Sequence, residues 1–220
     1  MESRIQQDEE RMQIGLAYVS DLPEEPFEAF ATAVRRPGLR LRVEASPPFG
    51  PMAGVEWLLP TAVVLFFAKS YFDSFLKEMG KDHYDSLKIG CQNLWKAFVG
   101  PEREITVHLV GTPGKIDLDS PFSRLFSIYS ETPDGRRIKF LFEDNSDRES
   151  FLEELGAVIA ALEEFHAGEP RSIIRCGILN ANIPRRMYLL HYNRTAGSLE
   201  FVDPYPKPRL YDQTDGSSTE

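Results

Sequence analysis

The chain has 220 residues, 42% apolar and 11% aromatic, with a formal net charge of −9. That composition belongs to a folded globular chain long enough to bury a substantial core, and it excludes the disordered class. The acidic balance argues against general nucleic-acid binding, which needs clustered Lys and Arg.

Residues 1–12 are a polar, charged lead-in without the apolar h-region of a secretory signal, so the cytoplasm is the default compartment. Ile14 to Ser20 reads as a short strand. A helix follows, with Phe27, Phe30, Ala31 and Val34 on one face, stopped by Arg36-Pro37-Gly38. Leu39 to Ala45 alternates apolar and charged residues as a half-buried strand does. These make a strand–helix–strand unit over 13–46.

The stretch 54–100 holds the densest apolar run and reads as a central helix pair. The first helix begins after Pro60, is apolar all round from Ala62 to Ala68, and takes Gly80 as its C-terminal cap. Its apolar run from Trp57 to Ala68 falls short of the about 20 residues a membrane span needs. The second helix starts at Asp82, repeats Tyr84, Leu87, Cys91, Leu94, Trp95 and Phe98, and stops at Gly100-Pro101.

Over 102–168 the pattern predicts a strand at Arg103 to Val110, a hairpin of Phe122 to Glu131 with Arg136 to Glu143 about Pro133-Asp134-Gly135, and a helix opened by a Ser146-x-x-Glu149 capping box. Over 172–203 it predicts a strand at Ile173 to Leu179 and a second hairpin, Met187 to Tyr192 with Leu199 to Val202. Residues 204–220 read as a disordered, proline-containing tail. The fold expected is a single α+β domain over 13–203, with a mixed, mostly antiparallel sheet and helices packed mainly on one face.

No catalytic motif stands out. The four histidines lie in four different elements without metal-ligand spacing, and Cys91 and Cys176 are far apart, so no metal, cofactor or disulfide is expected. Ser74-x-x-Lys77 matches a short serine–lysine pattern without its partner motifs, and Ser74 reads as a plain helix residue.

Two polar groupings are candidate ligand sites. Lys69, Asp73, Lys77 and His83 gather at the expected helix–helix bend, where a lysine, a carboxylate and an imidazole could bind a ligand or move a proton. Arg175, Arg185 and Arg186 belong to the local excess of positive charge and could hold an anion. Trp57, Leu58, Phe66 and Phe67 are candidate contacts for a partner or a membrane surface.

The function this favours is a non-enzymatic interaction, regulatory or accessory protein, docking a protein partner or a further copy of itself through the helix pair or a sheet edge. The alternatives are an enzyme or small-ligand (anion) binder of unrecognised type, and peripheral membrane attachment through residues 55–68.

Overall fold

The computed structural model describes residues 12–48, 61–105, 121–180 and 186–203, without the side chains at 74, 75 and 77–81. In chain order the elements are β1 (Ile14–Val19), α1 (Glu25–Val34), β2 (Leu41–Ser46), β3 (Val63–Phe67), a π-helical turn (Tyr71–Phe75) running into α2 (Leu76–Phe98), β4 (Phe122–Glu131), β5 (Arg137–Glu143), α3 (Arg148–Ala167), α4 (Ile173–Asn180), β6 (Met187–Asn193) and β7 (Ser198–Val202). The seven strands form one mixed sheet in the order β2-β1-β3-β4-β5-β6-β7, so the chain is an α+β fold.

The six strand pairs alternate across the sheet. β1/β2, β3/β4 and β5/β6 are parallel, whereas β1/β3, β4/β5 and β6/β7 are antiparallel. The equal division has a simple cause. Each parallel pair is bridged by helix (α1, α2, and α3 with α4), because neighbouring parallel strands need a crossover. The helices share one face: Phe27 of α1 and Phe151 of α3 pack on Tyr18 and Phe126, which the register places on the same side of the sheet.

That face carries the core. Ile14 and Leu16 of β1, Val63, Leu65 and Phe67 of β3, Phe126 and Ile128 of β4, Ile138, Phe140 and Phe142 of β5, and Leu190 of β6 are all buried beneath the helices. Phe27 of α1 stacks on Tyr18 of β1 at 3.8 Å between ring centroids and lies 5.3 Å from Phe98 of α2, tying sheet to both helices. Gly90 lets α1 and α2 approach closely, since a Cβ there would sit 2.7 Å from Val34 Cγ2.

The structure corrects three sequence expectations. The segment from Ala62 to Ala68 is not the start of a helix: Val63–Phe67 is a central strand. With Val63, Leu65 and Phe67 under the helices and Val64 and Phe66 half-buried on the other face, the strand is apolar on both sides and carries the same unbroken run as a helix buried all round. The helix pair is also a single helix, continuous through Gly80 and Lys81, which makes Gly80 an interior residue rather than a cap and Asp82 an interior residue rather than an N-cap. An interior glycine costs about 1 kcal/mol, and the buried stripe of Leu87, Cys91, Leu94 and Phe98 outweighs it.

Third, Ile173–Asn180 is a helix and not a strand. Its isoleucines gave a strand signal that docking overrides: Ile174 is wholly buried, and Gly177 lies against the Phe201 ring of β7. At the start of α3 the cap falls one residue later than expected, on Asp147, whose carboxylate accepts the Ser150 N–H at 2.9 Å.

Both hairpins form as the sequence indicates. The first turns through Gly135 at φ 81°, a conformation glycine adopts without strain, and the second through Gly197 at φ 64°. The lead-in before Met12, most of the expected strand over 103–110, the tail from 204 onward, and residues 49–60 lie outside the described residues.

Candidate functional site

The polar junction forms where β3 ends and α2 begins. Lys69 and Asp73, one helical turn apart, close an ion pair on the surface. His83 does not join them in solvent. Its ring is wholly buried, 5.8 Å from the Tyr71 ring, and burial, with the Arg36 charge, lowers its pKa to about 4. The Lys77 side chain is outside the described residues.

A second histidine, unremarkable in sequence, comes to this place from the last turn of α3. His166 stacks on Phe72 at 5.2 Å, and its Nε2 lies 3.0 Å from the Ser130 hydroxyl of β4. Burial first, then the Lys69 charge, pull its pKa down to about 4, partly offset by Asp73. Nothing in the spacing could pair Ser130 with His166, which are 36 residues apart.

A serine hydroxyl within reach of an imidazole has the form of an activated nucleophile. Here the Ser130 hydroxyl donates its proton to the Phe67 carbonyl at 2.8 Å and is wholly buried. His166 Nε2 is therefore assigned as the donor to Ser130 Oγ. The pair ties the end of α3 to the ends of β3 and β4 and exposes no attacking oxygen. Cys91 is equally enclosed, and burial pushes its thiol pKa up, away from thiolate chemistry.

The arginine set is not assembled into one site. Arg175 is on α4, Arg186 is exposed just before β6 with its carbonyl accepting the Arg137 N–H, and Arg185 is outside the described residues. Of the candidate contact residues, Trp57 and Leu58 are likewise outside them. Phe66 is half-buried on the sheet face opposite the helices. Phe67 is buried against Tyr71 and Phe72, so it offers no contact surface.

A further charged cluster escaped the sequence reading. Arg194, in the β6–β7 turn, reaches Glu143 of β5 at 3.2 Å and the Ser150 hydroxyl of α3, while the Tyr192 hydroxyl donates to Glu153 at 2.9 Å. Glu154 lies beneath them, 1% exposed. Burial and the neighbouring Glu143 charge raise its pKa to about 9, against the opposing pull of Arg194 and the Glu143 backbone, so its carboxyl is protonated at neutral pH. Only its place on the inward stripe of α3, three residues after Phe151, could have signalled this.

On the face opposite the helices, strand register sets side chains in rows. One row runs Arg42, Gly15, Phe66, Tyr129, Lys139, Leu189, Val202; the next runs Glu44, Ala17, Val64, Ser127, Leu141, His191, Glu200. Lys139 is buried 5.7 Å from the Tyr129 ring centroid, and burial lowers its pKa to about 8. Alternation placed it on this side of β5 but gave no hint of its burial.

The sheet ends differently at its two borders. Among the described residues β2 pairs only with β1; Leu41 and Val43 are half-buried toward the helices, and Arg42 and Glu44 are exposed and paired with each other. At β7, Glu200 is occupied by Asn193 at 3.0 Å and faces His191 at 3.8 Å. Among the described residues no group of three His, Cys, Asp or Glu side chains is placed to hold a metal ion, and no helix is long and apolar enough to cross a membrane. No family model, curated protein or solved structure matches the chain.

Proposed function

We propose that the chain is a non-enzymatic interaction module, an accessory or regulatory protein that docks a protein partner through a sheet edge. The observation that carries this reading is β2, a six-residue strand outermost among the described residues, with Arg42, Glu44 and Ala45 exposed. Its outward backbone groups offer ladder hydrogen bonds to an added strand, the chemistry of β-augmentation. The groups with catalytic potential point the same way: His83, His166, Ser130 and Cys91 are enclosed, and Lys69 and Asp73 satisfy each other.

The test is reconstitution. The full chain is mixed with each protein it captures from its host, both purified, and complex formation is measured by calorimetry for the native chain and for Val43→Pro. Proline removes a ladder N–H and is tolerated at an edge. The reading predicts a stoichiometric complex, or self-association, weakened at least about tenfold by the proline, or about 1.4 kcal/mol. A chain that stays monomeric and reconstitutes with nothing would refute it.

A further inference from the structure

The docking reading leaves the partner unnamed, and the charge pattern of β2 identifies one. We infer that β2 pairs antiparallel with β2 of a second copy of this chain across a two-fold axis, joining two sheets into one. The inference rests on the docking reading and adds the occupant and the register.

Symmetry limits the register. A two-fold axis normal to the sheet keeps each face on its own side, so a residue must pair with one that points the same way in its own strand. On β2 this sets odd numbers against odd and even against even, and the axis must pass through a residue rather than between two.

Three centres remain near the middle of the strand. Centred on Arg42, the pairing sets Arg42 against Arg42. Centred on Glu44, it sets Glu44 against Glu44. Centred on Val43, it sets Arg42 of each copy against Glu44 of the other, with Val43 against Val43 and Leu41 against Ala45. Like charges directly opposite repel and opposite charges attract, so the Val43 centre, which sets opposite charges together with no like-charge pair, is the most favourable. It also meets half-buried Leu41 and Val43 with apolar residues on the helix side, where both already lean on the core.

The opposite border excludes itself by the same rule. β7 runs Ser198–Val202, and a full-length two-fold pairing there is centred on Glu200 and faces it with its own copy. One edge is self-complementary and the other self-repelling, which yields a closed pair rather than an open chain of sheets.

The experiment uses the full chain and two charge reversals at exposed positions, with circular dichroism to confirm that each variant folds. Sedimentation at about 100 µM should give the native chain a mass twice the 25.0 kDa of one copy. R42E leaves two acidic residues on the edge and E44R leaves two basic ones, so each alone should run as a monomer. An equimolar mixture of R42E with E44R should restore the doubled mass, and so should the double variant R42E/E44R. A monomeric native chain, or single variants that still dimerise, would overturn the inference. Dimers insensitive to both reversals would move the contact elsewhere and leave docking standing, whereas a monomeric native chain that also fails every reconstitution would end both.

Discussion

Glu154 is the side chain whose protonation the fold controls most directly. Its ordinary pKa is about 4.3; burial beside Glu143, with Arg194 and the Glu143 backbone opposing, raises it to about 9 in the folded chain. The folded state therefore keeps a proton that the unfolded chain releases. The stability this contributes is complete below the unfolded pKa and is lost as pH rises through the folded one. Between pH 7 and 8 stability should fall by about 1.4 kcal/mol per pH unit through this group, and Glu154→Gln should flatten the fall in urea melts. Equal slopes in the two proteins would refute it. His83 and His166 act in the opposite sense. Both are held near pKa 4, His83 by burial and Arg36, His166 by burial and Lys69 with Asp73 opposing. Their contribution is present above the usual value of about 6.5 and is lost as pH falls through 4. His166→Gln should therefore lose less stability than the native chain between pH 6.5 and 4.5 in denaturant melts, and equal losses would refute the neutral ring. Of these environments only the place of Glu154 on the inward stripe of α3 left a trace in the sequence. Burial of Glu154 and His166 comes from elements that meet only after folding, and spacing along one helix carries no record of what packs on it.

At the scale of elements, legibility followed locality. The two hairpins were readable because Thr132 to Arg136 and Asn193 to Gly197 fix their turns with contacts a few residues long. The segment Val63–Phe67 was misread because its partners, β1 and β4, come from elsewhere in the chain and pair along both of its edges, while neither of its faces carries a polar residue to mark it. Phe67→Ala should cost about 3–5 kcal/mol, while Phe66→Ala, on the half-buried side, should cost clearly less. Equal costs in denaturant melts would contradict the strand. The cap of α3 gives a sharper contrast. Asp147→Ala should lose about 1 kcal/mol. Ser146→Ala should be nearly neutral, because among the described residues the buried Ser146 hydroxyl has no hydrogen bond and the contact from Trp95 goes to its carbonyl. At the α1–α2 crossing, Gly90→Ala should cost about 1–3 kcal/mol by forcing Val34 and Phe30 aside.

Across the whole molecule, three helical crossovers place every described helix on one side of the sheet and leave two strand edges at its ends. The α+β class was legible from alternation and helical spacing alone, whereas strand order was not, because register depends on pairings between distant segments. The proposed function belongs to this scale too. A sheet that continues into a second copy makes the outward N–H groups of β2 interior ones, and no other strand changes its environment in that way. Amide hydrogen exchange measured strand by strand at low and high protein concentration reads this directly. The account predicts that Leu41–Ser46 slows as concentration rises while Ser198–Val202 at the opposite edge does not change. Exchange in β2 that is independent of concentration, or slowing confined to β7, would contradict it.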